Sequence, residues 1–122
     1  MRPILFCLLA IVSAPAWSEW KEVVKNSDAS YYIDPATIRK NEMLVRVWSI
    51  QNLTNQGTNG EKSRRFYAEY NCKERQFKTL SLSIHSEPMA MGKVLDDLSA
   101  PSSGSYLPLN RAGVYVMDAV CN

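Results

Sequence analysis

Few side chains in this 122-residue chain have the type and spacing to do chemistry. The first set is redox: Cys7, Cys72 and Cys121, the last at the penultimate position. The second is His85, the only histidine, which follows Ser81 and Ser83 at intervals of two, so that a Ser/His nucleophile–base pairing can be drawn on one strand face. The third is ionic. Lys62, Arg64 and Arg65 form a short basic run, Arg46, Trp48 and Tyr67 supply an aromatic and basic set, and Asp96-Asp97 are adjacent carboxylates. No Cys-x-x-Cys, no histidine cluster and no Gly-rich phosphate loop occurs, so the sequence predicts no metal site, no cofactor and no catalytic residue.

What these side chains can do depends on where the chain goes. Residues 1–18 read as an export signal: Arg2, an apolar run from Ile4 to Val12, then small residues. The run is shorter than the roughly 20 residues a bilayer-spanning helix needs, so no transmembrane segment is expected after cleavage. Ala14-Pro15-Ala16 suits cutting before Trp17, and Ala16-Trp17-Ser18 suits cutting before Glu19. The second site is adopted. It makes residues 19–122 one domain, long enough for a single modest core. Cys7 leaves with the signal, and Cys72 and Cys121 remain as an even pair in an oxidising compartment, where a disulfide is the default. Of the 14 basic residues only Arg2 is lost, which leaves 13 against 12 acidic ones. So even a balance argues against nucleic-acid binding, and any electrostatic recognition must be local.

The hydrophobic period is mostly two, the spacing of strands. Trp20–Lys25 and Ser30–Ile33 flank the turn residues Asn26-Ser27-Asp28, and Asp34-Pro35-Ala36-Thr37 reads as a capped helical turn. Met43–Leu53 is the strongest strand. One of its faces carries Met43, Val45 and Val47, the other Leu44, Arg46, Trp48 and Ile50, so that it is covered on both sides or meets a partner. A polar loop follows, and then Ser63–Lys73 and Gln76–His85 form a long pair. Phe66, Ala68, Tyr70 and Cys72 share one face, Leu80, Leu82 and Ile84 another, and both sets are expected to line the core. The same alternation puts Ser81, Ser83 and His85 on the polar face, so His85 is expected to be exposed. Residues 87–109 read as irregular, with a short edge strand near Met91–Leu95.

From Asn110, a suitable N-cap, the period becomes helical: Gly113, Val114, Met117, Val120 and Cys121 form a stripe opposite Arg111, Tyr115 and Asp118. Cys121 then faces the sheet, where it can reach Cys72. The expected fold is α+β, a single antiparallel sheet of about five to six strands with one C-terminal helix packed on one face and tethered by the disulfide.

Tyr31-Tyr32-Ile33-Asp34, the strand around Trp48, Arg64-Arg65 leading to Tyr70-Asn71-Cys72, Met91-Gly92 and the terminal Ala119-Val120-Cys121 together resemble the surface-adhesin protein E family of Gram-negative bacteria. The likeness spans nearly the whole mature chain. It implies the same sheet with its disulfide-held helix, an exported non-enzymatic binding module in the periplasm or at the cell surface, and a protein or glycan ligand. The adhesin that gives the family its name captures host extracellular-matrix proteins and can form homodimers, and a basic stretch in it similar to Lys62, Arg64 and Arg65 is associated with host-protein binding. The lipid-bearing cysteine of the adhesin is missing here. The sequence therefore carries an alternative, a periplasmic inhibitor or accessory factor that presents a loop to an enzyme such as lysozyme.

Overall fold

The computed structural model describes residues 19–99 and 107–122, and the segment read as an export signal lies outside them. Eight strands form one antiparallel sheet: β1 (Lys21–Lys25), β2 (Ala29–Ile33), β3 (Arg39–Asn41), β4 (Leu44–Leu53), β5 (Ser63–Asn71), β6 (Gln76–Glu87), β7 (Met91–Ser99) and β8 (Leu107–Pro108). The main path runs β1-β2-β4-β5-β6-β7, with β3 paired to β4 and β8 to β6. Among the described residues there is one α-helix, α1 (Arg111–Cys121), which follows the last strand.

Local chemistry sets the connections. Asn26 Oδ1 accepts from the amides of Asp28 and Ala29 and closes the β1–β2 turn. Asp34 accepts from Ala36 N at 3.2 Å and caps the 3₁₀ turn Pro35–Thr37. Asn110 Oδ1 accepts from Gly113 N at 2.7 Å and starts α1. Gly113 is crowded by Leu109 and by that same Oδ1, so a side chain there would press on the cap.

Strand partners in an antiparallel sheet point the same way, so register separates two faces. Val45, Val47, Ala68 and Tyr70 lie on one of them, in register pairs Val45↔Tyr70 and Val47↔Ala68. With Ile33 they pack against Val116, Met117 and Val120 of α1. The helix lies mainly over β1, β2 and β4. The Cys72–Cys121 disulfide, with its Cα atoms 5.9 Å apart, pins the helix's last turn beside the end of β5.

Four expectations are corrected. Leu80, Leu82 and Ile84 are only half-buried and stand outside the core, which instead takes Phe77 from β6. A bulge accounts for Leu80: Tyr67 pairs with Ser81 but Ala68 with Thr79, so Leu80 is an extra residue and the alternation resets toward Phe77. Leu82 and Ile84, partners of Phe66 and Arg64, keep to the helix side but lie away from α1, which sits mainly over β1, β2 and β4. The second correction concerns the irregular reading of 87–109, because β7 extends to Ser99. The helical stripe is displaced too, with Ala112 and Val116 buried alongside Met117 and Val120. Finally, His85 is buried, for reasons given below.

Candidate binding face

The face opposite the helix carries the side chains with chemistry. A short device aims Trp48. Strand β4 pairs with β2 up to Ser49 and with β3 from Arg46, leaving Trp48 at the gap between them. The Pro35–Thr37 turn fills that gap: Asp34 N donates to Trp48 O at 3.1 Å, and Trp48 N donates to Thr37 Oγ1 at 3.1 Å. Both main-chain groups of Trp48 are thereby satisfied by the turn and its cap rather than by a neighbouring strand. The side chain is directed to the open face.

There Trp48 meets Tyr67, its register partner on β5, with ring centroids 4.9 Å apart. The Arg65 guanidinium sits 4.5 Å from the Trp48 ring centroid, within cation–π range. Two residues along β4 in the other direction, Arg46 Nε donates to Glu69 Oε1 at 2.9 Å, and Lys78 approaches Glu69 Oε2 at 3.7 Å. Glu69 is nearly closed off, with a side chain 4% exposed, whereas Arg46 is half-exposed. A carboxylate so buried persists only when cations hold it.

The basic run of Lys62, Arg64 and Arg65 is dispersed by the pleat. Arg65 joins Trp48 on the open face, Lys62 at the start of β5 lies 3.8 Å from Glu87, and Arg64 points to the helix side. Arg64 donates to Gln51 Oε1 and to Glu61 Oε2, at 3.0 and 2.9 Å. The hydrogen bond from Arg64 holds the Glu61 carboxyl below its usual range, and Glu61 in turn accepts from Asn59 N. Arg64 thus organises the loop before β5. Of the sequence-derived binding residues, Arg46, Trp48 and Arg65 are brought together on one face, and Lys62 and Arg64 stand apart from them.

The far end of this face is closed over. The 3₁₀ turn Pro88–Ala90 folds back onto β4 and β5: Met89 N donates to Asn52 Oδ1, Ala90 N donates to Ser63 Oγ, and Ser63 Oγ donates to Glu87 O. Met89 and Ala90 both have φ near +60°, an unfavourable conformation for non-glycine residues that these three bonds offset. His85, opposite Ser63, lies beneath this strap and is only 6% exposed. Burial pushes its pKa down, and Arg65 pushes the same way against Asp97. Ser83 Oγ and His85 Nε2 are 2.7 Å apart, as a nucleophile and base would be. Nδ1, however, is buried with no hydrogen-bond partner among the described residues, so none of these supplies the third group that orients a catalytic base.

Among the described residues no group of three or more His, Cys, Asp or Glu side chains could hold a metal ion, and no helix is long and apolar enough to cross a membrane. Arg39, Glu69 and Lys78 escaped the sequence reading. Only the register across β3–β6 brings them beside Arg46.

An antiparallel sheet with one face sealed by a disulfide-held C-terminal helix and the other left as an aromatic and basic surface defines a compact binding module. The chain belongs to the surface-adhesin protein E family, whose model matches residues 17–122. Solved structures of Haemophilus influenzae protein E share the fold. Crystal form II of Haemophilus influenzae protein E is 19% identical, with 92% of this chain and 96% of that chain covered, at a TM-score of 0.63. Protein E from non-typeable Haemophilus influenzae is 20% identical, with 90% of this chain and 81% of that chain covered, at a TM-score of 0.58. No curated protein sequence matches significantly. Family membership makes this chain an adhesin-like module.

Proposed function

We propose that this chain is an exported, non-enzymatic binding module of a Gram-negative cell envelope that meets a protein or glycan ligand through the sheet face opposite α1. The carrying observation is the Arg65–Trp48–Tyr67 cluster: two aromatic rings and a guanidinium grouped on a face that α1 leaves uncovered. Aromatic and arginine side chains are the ones over-represented where binding energy is concentrated. Residues 1–18 act as the export signal, so the mature chain starts at Glu19. A host extracellular-matrix ligand suits a family of surface adhesins, and membership of it supports this reading.

Two measurements test this reading. Surface labelling of intact cells, set against release with the periplasm, locates the protein. Affinity capture from host and envelope extracts, with the native protein beside Trp48→Ala and Arg65→Ser, tests the face. Loss of the captured ligand in both variants at unchanged thermal stability is the expected result. Capture that persists in both, or co-purification of an envelope enzyme through another surface, would defeat the proposal.

A further inference from the structure

One row of side chains crosses four strands of the open face. Arg39 of β3 is the register partner of Arg46, Arg46 of Glu69, and Glu69 of Lys78. The row therefore sets three cations against a single carboxylate. Like charges directly opposite each other, as Arg39 and Arg46 are, cost stability. The arrangement is notable in a chain whose formal net charge is only +2.

Beside this row lies a cleft of about 340 Å³ bordered by Arg39, Lys40, Arg46, Tyr67 and Glu69. The next row along the strands is Trp48 with Tyr67, and the one after it contains Arg65, paired with Ile50. Cations thus flank an aromatic pair on both sides. From the Arg46 row to the Arg65 row is four residues along β4, about 13 Å at the rise of an extended strand. A lone small anion would satisfy only one end of such a strip.

We propose that this strip binds an extended sulfated saccharide, its sulfates and carboxylates meeting Arg39, Arg46 and Lys78 at one end and Arg65 at the other, with the apolar face of a sugar ring against Tyr67 and Trp48. The inference rests on the binding-face reading above and adds the chemical class of the ligand. Guanidinium groups present a planar fork matched to such oxyanions, and an anion there also relieves the Arg39–Arg46 juxtaposition. Net charge is too small to attract a polyanion globally, so the local field of the strip must do it, and salt must weaken it.

The probe is a size-fractionated heparin oligosaccharide titrated calorimetrically into the exported protein at several salt concentrations. Binding should weaken steadily with salt, and Arg39→Ser and Arg65→Ser should each lower affinity by about fivefold to tenfold, the scale of losing a charge-assisted contact. Lys93→Ser, which removes an equal charge from β7 at the opposite edge of the sheet, should leave affinity unchanged. Arg39 is exposed on a three-residue edge strand, so unfolding is not expected to confuse the result, and Tm is recorded for each variant. Equal binding of the fully desulfated oligosaccharide would overturn the proposal. So would an equal loss in Lys93→Ser, which would reduce the effect to overall charge. Polyglutamate binding as tightly, with the same dependence on Arg39 and Arg65, would make the strip a site for acidic peptides instead. Capture of another ligand that depends on Trp48 and Arg65, without saccharide binding, would overturn this inference and leave the binding face standing.

Discussion

The two faces of one sheet use the same strands to opposite ends. On the helix face, Val45, Val47, Ala68 and Tyr70 are shut away beneath Val116, Met117 and Val120, and burial alone raises the Tyr70 phenol well above its ordinary value. On the other face, one residue along each strand, Arg46, Trp48, Arg65 and Tyr67 stand where no helix covers them. The difference teaches that stability and recognition are separated by the pleat. Substitutions on the first face should act on folding, and those on the second on binding. The exceptions are Ile50 and Glu69, and the strapped end, where Ser63 and His85 are buried on the recognition side.

That contrast is most severely tested by opening the disulfide. Replacing both Cys72 and Cys121 with Ser frees a loop of 49 residues' separation and should lower stability by about 4 kcal/mol on the chain-entropy model. Urea unfolding under non-reducing conditions measures it. A loss below about 1 kcal/mol would mean that apolar packing alone holds α1 on the sheet. Native protein should also yield the linked Cys72–Cys121 peptide in non-reducing mass mapping.

Met117→Ala comes next. Met117 is completely buried between the helix and the sheet, so the substitution should cost about 2–5 kcal/mol. Ligand binding, measured below the new Tm, should be unaffected, because the residue does not reach the open face. A Met117 variant that binds worse at full folding would couple the two faces.

A pH effect sharpens the exception at the strapped end. Burial, then Arg65, lowers the folded-state pKa of His85 below its ordinary 6.5, with Asp97 opposing. The unfolded chain therefore binds the proton first as pH falls. The stability contribution is full above about pH 6.5 and is lost as pH drops through the lowered folded value. Thermal unfolding from pH 8 to about pH 5 should show this decline, and His85→Gln should flatten it. An identical slope in the variant would rule out His85 as its source; Glu61, whose carboxyl is held below its usual range, loses its contribution only at lower pH and does not shape this window.

The smallest stability effect belongs to the proposed recognition side. Arg65→Ser removes one exposed cation–π contact and should cost about 0.5–1 kcal/mol of stability while weakening ligand binding severalfold. A large fall in Tm with unchanged binding would reverse the roles of the faces. The measurement is a paired one, Tm and affinity on the same preparation.

Chain-local physics made much of this protein legible from its residues. Alternation marked β4, β5 and the first part of β6, turn chemistry placed Asn26 and Asp34, the N-cap and helical period set the start of α1, and cysteine arithmetic paired Cys72 with Cys121. Each of these signals lies within a few residues, or in the parity of a count, and so survives without knowledge of the fold. Register does not. The bulge that took Leu80 out of the alternation and brought Phe77 to the core depends on which residue of β5 faces which of β6. The strap that buried His85 depends on a return of the chain onto Ser63 and Asn52, 27 and 37 residues away from its donors Ala90 and Met89. The alignment of Arg39, Arg46, Glu69 and Lys78 needs three strand pairings at once, and the separation of Arg64 from Arg65 follows from period two only once both faces have been assigned. The sequence by itself determined most of the longer elements and the covalent tether, though not β3, β8 or the full length of β7, because propensity, capping and cysteine parity are properties of short segments. Tertiary structure decided which side chains share a surface, because cross-strand neighbours are set by long-range hydrogen-bond register that no local pattern encodes.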